Sequence, residues 1–114
     1  MNSLPSLPPL ELFDVVIPFD EALGVYCVFA SVARPEVVVF KVLVESYEGI
    51  GAARSLDPHH EPGRALVCFL AVPDFIDQTV AMFESLEGDY DLRVIEGTEA
   101  MLSKARSDLR IDPV

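Results

Sequence analysis

Two runs, residues 25–32 and 65–72, are apolar at odd and even positions almost alike. Both are rich in Val, Phe and other strand-favouring residues, and Pro73 stops the second, so each reads as a β-strand. Side chains alternate across a strand. Tyr26, Val28, Ala30 and Val32 therefore oppose Val25, Cys27 and Phe29. In the second run Leu66, Cys68, Leu70 and Val72 oppose Val67, Phe69 and Ala71. A sheet with one wet face alternates apolar with polar residues, and these strands do not. Something must cover both faces of any sheet built on them.

The other elements are weaker. Residues 1–24 carry Pro5, Pro8, Pro9 and Pro18 and read as an extended N-terminal arm, with an edge strand possible at 13–17. Arg34-Pro35-Glu36 opens a helix running towards Gly49, since Phe40, Leu43, Val44 and Tyr47 share one helical face. Residues 50–56 make a short strand, and 57–63, with Pro58, Pro62 and Gly63, a turn cluster. Asp74 caps a second helix striped by Ile76, Val80, Phe83 and Leu86. A strand at 92–96 follows, then a final amphipathic helix capped by Thr98 within residues 97–114. The core, residues 25–96, thus runs strand, helix, strand, strand, helix, strand. That order predicts an α+β two-layer sandwich, a four-stranded antiparallel sheet with two helices on one face.

Two helices leave the opposite face open. A second copy of the chain is the leading cover, because two-fold dimers are the commonest assembly. Coverage by residues 1–24 and 97–114 is the alternative.

Composition narrows the function. With 8 basic against 19 acidic residues and a net charge of −11, the chain is a poor partner for nucleic acid or an anionic membrane surface. No apolar stretch is long enough for a transmembrane helix, and the first residues lack a secretory signal's basic and apolar regions. Two Cys in apolar runs give no disulfide framework, and a cytoplasmic setting is expected.

Residues 39–50, with Glu45, Tyr47, Glu48 and Gly49, and residues 70–86, opening on Pro73, Asp74 and Phe75, resemble an uncharacterised bacterial family of small ACT-like domains. The resemblance covers residues 25–96 and implies a ferredoxin-like βαββαβ fold. It implies no established activity. Better-known ACT domains bind amino acids or similar effectors at a dimer interface, beside the loop after the first strand. That loop here is residues 31–36 and holds no Gly. Ser31, Ala33, Arg34 and Glu36 become the candidate ligand residues. Arg34 offers a fork for an anion beside free N–H groups, and Glu36 a partner for Arg34 or a ligand amine.

Other constellations carry less. Asp57, His59, His60 and Glu61 place metal-type ligands on one turn, but adjacent His side chains rarely converge, so no metal is assigned. Cys27 and Cys68 read as core residues. Glu45, Tyr47 and Glu48 read as two solvated carboxylates and a buried ring. Arg64 alone is ionisable on the central strands, which leaves little for an enclosed-barrel enzyme. No catalytic residue and no cofactor is expected. The expectation is a non-catalytic homodimeric module binding a small-molecule effector. A module docking a larger partner through its apolar sheet face or acidic surface is the alternative.

Overall fold

The computed structural model describes residues 7–45 and 51–109. Two short strands come first, β1 (Leu10–Leu12) and β2 (Val15–Ile17), followed by β3 (Phe19–Asp20) and β4 (Val25–Ala33). A 3-10 turn at Arg34–Glu36 leads into α1 (Val37–Glu45). Then come β5 (Gly51–Glu61), β6 (Arg64–Ala71), a 3-10 turn at Pro73–Phe75, α2 (Ile76–Asp89), β7 (Leu92–Ile95) and α3 (Glu99–Leu109).

The main sheet is antiparallel and has the order β3-β4-β6-β5, with β7 also on β4. The apolar runs are its centre: β4 pairs with β6 from Tyr26↔Ala71 to Ala33↔Arg64. The other side of β4 is divided. Its start pairs with β3 (Tyr26↔Phe19) and its end with β7 (Val32↔Leu92).

This is not the four-stranded ferredoxin-like βαββαβ sandwich that the element order and the resemblance imply. Among the described residues the main sheet has five strands rather than four, β1 and β2 make a second sheet, and the helix expected beyond the core packs on the sheet as a third α-helix, where a ferredoxin-like fold has two. The two-sided strands supply the physical reason. On one face Val28, Val32, Val67 and Phe69 pack with Phe40 and Val44 of α1 and Met82, Phe83 and Leu86 of α2. On the other, Cys27, Phe29, Leu56, Leu66 and Cys68 pack under Ala105, with Met101 and Leu102 alongside. The third helix covers the second face, so the apolar surface that called for a second copy of the chain is occupied from within.

Packing and pairing settle the local expectations, some kept and some corrected. Val37, Val38 and Val39 favour strands, yet burial of Phe40 and Val44 one turn apart holds α1 as a helix. The turn expected at 57–63 is mostly strand. β6 templates β5 out to Glu61, with irregularities between Ser55 and Asp57 and between Asp57 and Glu61. The turn shrinks to Pro62 and Gly63, where Gly63 takes φ 74°. The possible edge strand at 13–17 lies off the main sheet. Phe13 and Asp14 turn between β1 and β2 with φ 51° and 68°, the signature of a two-residue type I′ hairpin. Asp74 does not cap α2; it sits inside the 3-10 turn, and no side chain caps that helix. Thr98 does cap α3, its Oγ1 accepting the Met101 N–H at 3.1 Å. Among the described residues no helix is long and apolar enough to cross a membrane.

Candidate functional site

The four predicted ligand residues gather at one end of the sheet, where β4 passes into α1. Ser31 is buried, and its Oγ accepts from Arg64 Nε at 2.6 Å. Its carbonyl accepts from the same guanidinium at 2.8 Å. Arg64 also reaches Asp91 Oδ2 at 2.8 Å. The Arg34 N–H donates to the Gly63 carbonyl at 2.9 Å, and Arg34 Nε to the Pro58 carbonyl at 2.8 Å. Glu36 Oε1 accepts the Asp91 N–H at 3.2 Å. Ala33 pairs with Arg64 across the strands. These bonds tie the start of α1 to the β5–β6 hairpin and to the segment before β7. Arg64, the one basic or acidic residue of the central strands, is the hub of this joint.

The family-like motif is divided. Pro73, Asp74 and Phe75 form the 3-10 turn before α2, and Phe75 is partly exposed. Pro73 and Asp74 border an open hollow of about 550 Å³ shared with residues 7–11, Tyr26 and Ile76. Tyr26 Oη donates to the Pro8 carbonyl at 2.6 Å and fixes the arm there. Glu45 closes α1, and Tyr47, Glu48 and Gly49 lie outside the described residues.

A more enclosed cavity lies on the second face, under α3. Its volume is about 250 Å³, just below the usual range for small-molecule sites. Val16, Ile17 and Pro18 form one wall, and Cys27 and Phe29 of β4 the floor. The segment 95–97 and Leu102 of α3 close the other side. Among the described residues Glu96 and Glu99 are the charged lining residues, and no Lys, Arg or His borders the cavity. Gly97 shapes it: a Cβ there would meet the Phe29 ring at 2.6 Å, so only glycine lets the chain pass so close.

Beside the cavity, Asp20 anchors α3. Its Oδ2 takes two donors from Arg106, Nε and a terminal NH₂, each at 2.9 Å, while Oδ1 accepts the Leu23 N–H at 3.0 Å. Cys27 and Cys68 share the same face, their thiols hydrogen-bonded to each other. Accepting that bond from Cys68 holds the Cys27 thiol below its ordinary range, against burial and the Asp20 charge, with Arg106 assisting. Donating it, together with burial and the nearby Asp20 charge, pushes the Cys68 thiol up. Among the described residues no three His, Cys, Asp or Glu are placed to hold a metal ion; Asp57 Oδ1 instead accepts the His59 N–H at 2.9 Å.

The chain matches no family model, no curated protein and no solved structure. Sequence reasoning placed the site at 31–36 and missed this cavity. Its walls come from segments some eighty residues apart, and the one local signal was Gly97 directly before a helix.

Proposed function

We propose that the chain is a non-catalytic module that binds a small molecule in the cavity beneath α3. One observation carries the reading: a half-enclosed cavity whose walls come from four elements, with an apolar floor and carboxylates at 96 and 99. Phe29 on the floor, with Ile17, Ile95 and Leu102 on the sides, suits a short aliphatic or aromatic body. Glu96 and Glu99, with no cation among the described lining residues, suit a neutral or cationic head group and disfavour an anion. A small aliphatic or aromatic amine fits both requirements.

Native mass spectrometry tests this. The chain is expected to carry, or to take up from a panel of small amines, one added mass. Val16 is 52% exposed at the cavity wall, so Val16→Trp fills the space without disturbing the core, and the added mass is expected to vanish. A bare chain, with no shift in melting temperature across amines, amino acids, nucleotides and organic acids, would overturn the proposal.

A second reading, a module docking a partner protein, rests on α1. Val38, Val39 and Val42 are 70%, 42% and 61% exposed and neighbour one another on that helix, an apolar patch of the kind that marks contact surfaces. The sheet face is no longer available for this role, because α3 covers it. Loss of a stoichiometric partner on Val38→Lys/Val42→Lys, with ligand uptake intact, would favour docking over small-molecule binding.

A further inference from the structure

We infer that Cys27 and Cys68 form a peroxide-oxidisable dithiol, with Cys27 the sulfur attacked and Cys68 the sulfur that resolves it.

Three observations place them in these roles. First, the register sets Cys27 opposite Leu70 and Cys68 opposite Phe29, one diagonal step apart on the same face of the sheet. Both side chains belong to one buried cluster. Second, their surroundings differ. Cys27 is itself only 3% exposed but lines the half-enclosed cavity, whereas Cys68, 0% exposed, does not border it. A reagent as small as hydrogen peroxide therefore meets Cys27 first. Third, the neighbouring Cys68 thiol favours a thiolate at Cys27, with the Arg106 guanidinium assisting, against burial and the Asp20 carboxylate that Arg106 pairs.

The chemistry balances with hydroperoxide as the only oxidant. The Cys27 thiolate attacks one peroxide oxygen, an S–O bond forms as the O–O bond breaks, and hydroxide leaves to be protonated to water. Sulfur is oxidised by two electrons to the sulfenic acid. The Cys68 sulfur then attacks that sulfur. An S–S bond forms, the S–O bond breaks, and hydroxide leaves as water with the proton Cys68 gives up. Diagonal positions on paired strands lie farther apart than the usual disulfide span, so closing the bridge shifts the two strands and leaves a strained, easily reduced bond. That suits a reversible switch rather than a structural staple. Its direct effect falls on α3, since both sulfurs pack in the cluster that Ala105 closes.

The test is oxidation of the folded, reduced chain with hydrogen peroxide, followed by alkylation in denaturant, intact mass and peptide mapping. The expected product is a monomer lacking two hydrogens, with both thiols blocked, a peptide joined at Cys27 and Cys68, and full reversal by dithiothreitol. In Cys68→Ser the reaction is expected to stop at a sulfenic acid on Cys27, trapped by dimedone. In Cys27→Ser the remaining thiol is expected to stay unreacted. The inference is overturned if the folded wild-type chain keeps both thiols, if it reacts only in denaturant, if the bridge joins two chains, or if Cys68 reacts equally fast without Cys27. The wild-type result decides the matter even where a variant does not fold.

Discussion

Replacing Arg106 with Met keeps most of the aliphatic stem and removes the guanidinium that holds α3 to Asp20. The Asp20 side chain is 2% exposed and its Oδ2 loses both donors, while Oδ1 keeps the Leu23 N–H. Breaking a fully buried pair costs about 3–5 kcal/mol, because a charge is left without a partner. Exposed pairs contribute up to about 1 kcal/mol. Arg106 is 40% exposed, so water enters on its side and the loss falls between these limits, at about 2 kcal/mol. With a urea slope of about 2 kcal/mol/M, the unfolding midpoint is expected to fall by about 1 M. Asp20→Asn removes the charge that needs compensation and keeps an oxygen for Leu23. In that background Arg106→Met is expected to cost under about 0.5 kcal/mol, giving a coupling of about 1.5 kcal/mol in the double-mutant cycle. An equal loss in both backgrounds would refute the buried-charge reasoning, as would a single-variant loss below about 0.5 kcal/mol.

Other consequences are open to the same kind of measurement. Phe83 is fully buried, with its ring edge-on to Phe69 at 5.5 Å and tilted against Phe40 at 6.3 Å; Phe83→Ala is expected to cost about 3–5 kcal/mol in chemical denaturation. Asp14 holds φ 68° in an exposed turn, so Asp14→Gly is expected to raise stability by about 0.5–1 kcal/mol, read as a higher melting temperature. Gly97→Val drives a side chain into the Phe29 ring, so lower stability and loss of any bound small molecule are expected together. Deleting residues 98–114 bares Phe29, Leu56 and Leu66, and size-exclusion chromatography is expected to show more association than for the full chain.

The two central strands and their faces are legible in residues 25–32 and 65–72, because parity alone assigns each side chain to a face. The clusters divide accordingly, with Val28, Val67 and Phe69 on one side and Cys27, Leu66 and Cys68 on the other. What covers the second face is not a local property. Met101, Leu102 and Ala105 read as an amphipathic helix from the sequence, but nothing in them specifies a docking partner more than thirty residues away. The length of β5 was hidden for a related reason: Asp57, Pro58, His59 and His60 have turn chemistry, and pairing with β6 overrides it. The first hairpin turns on Phe13 and Asp14 rather than Asn-Gly, so its usual signal was absent. The polar cluster at 31–36 was visible, but its engagement with Arg64, Pro58 and Asp91 needed three further segments to be in place.

The order of elements along the chain has a bearing on synthesis. β4 and β6 can pair once Ala71 has left the ribosome, but α3 ends at Leu109, 38 residues later. At about 5–20 residues per second this interval lasts about 2–8 s. Throughout it the face that carries Phe29, Leu56 and Leu66 has no roof. Each nascent chain therefore passes through a stage in which it is sticky to its neighbours on a polysome. A holding chaperone, or slower spacing of ribosomes, acts on that stage and not on the finished molecule.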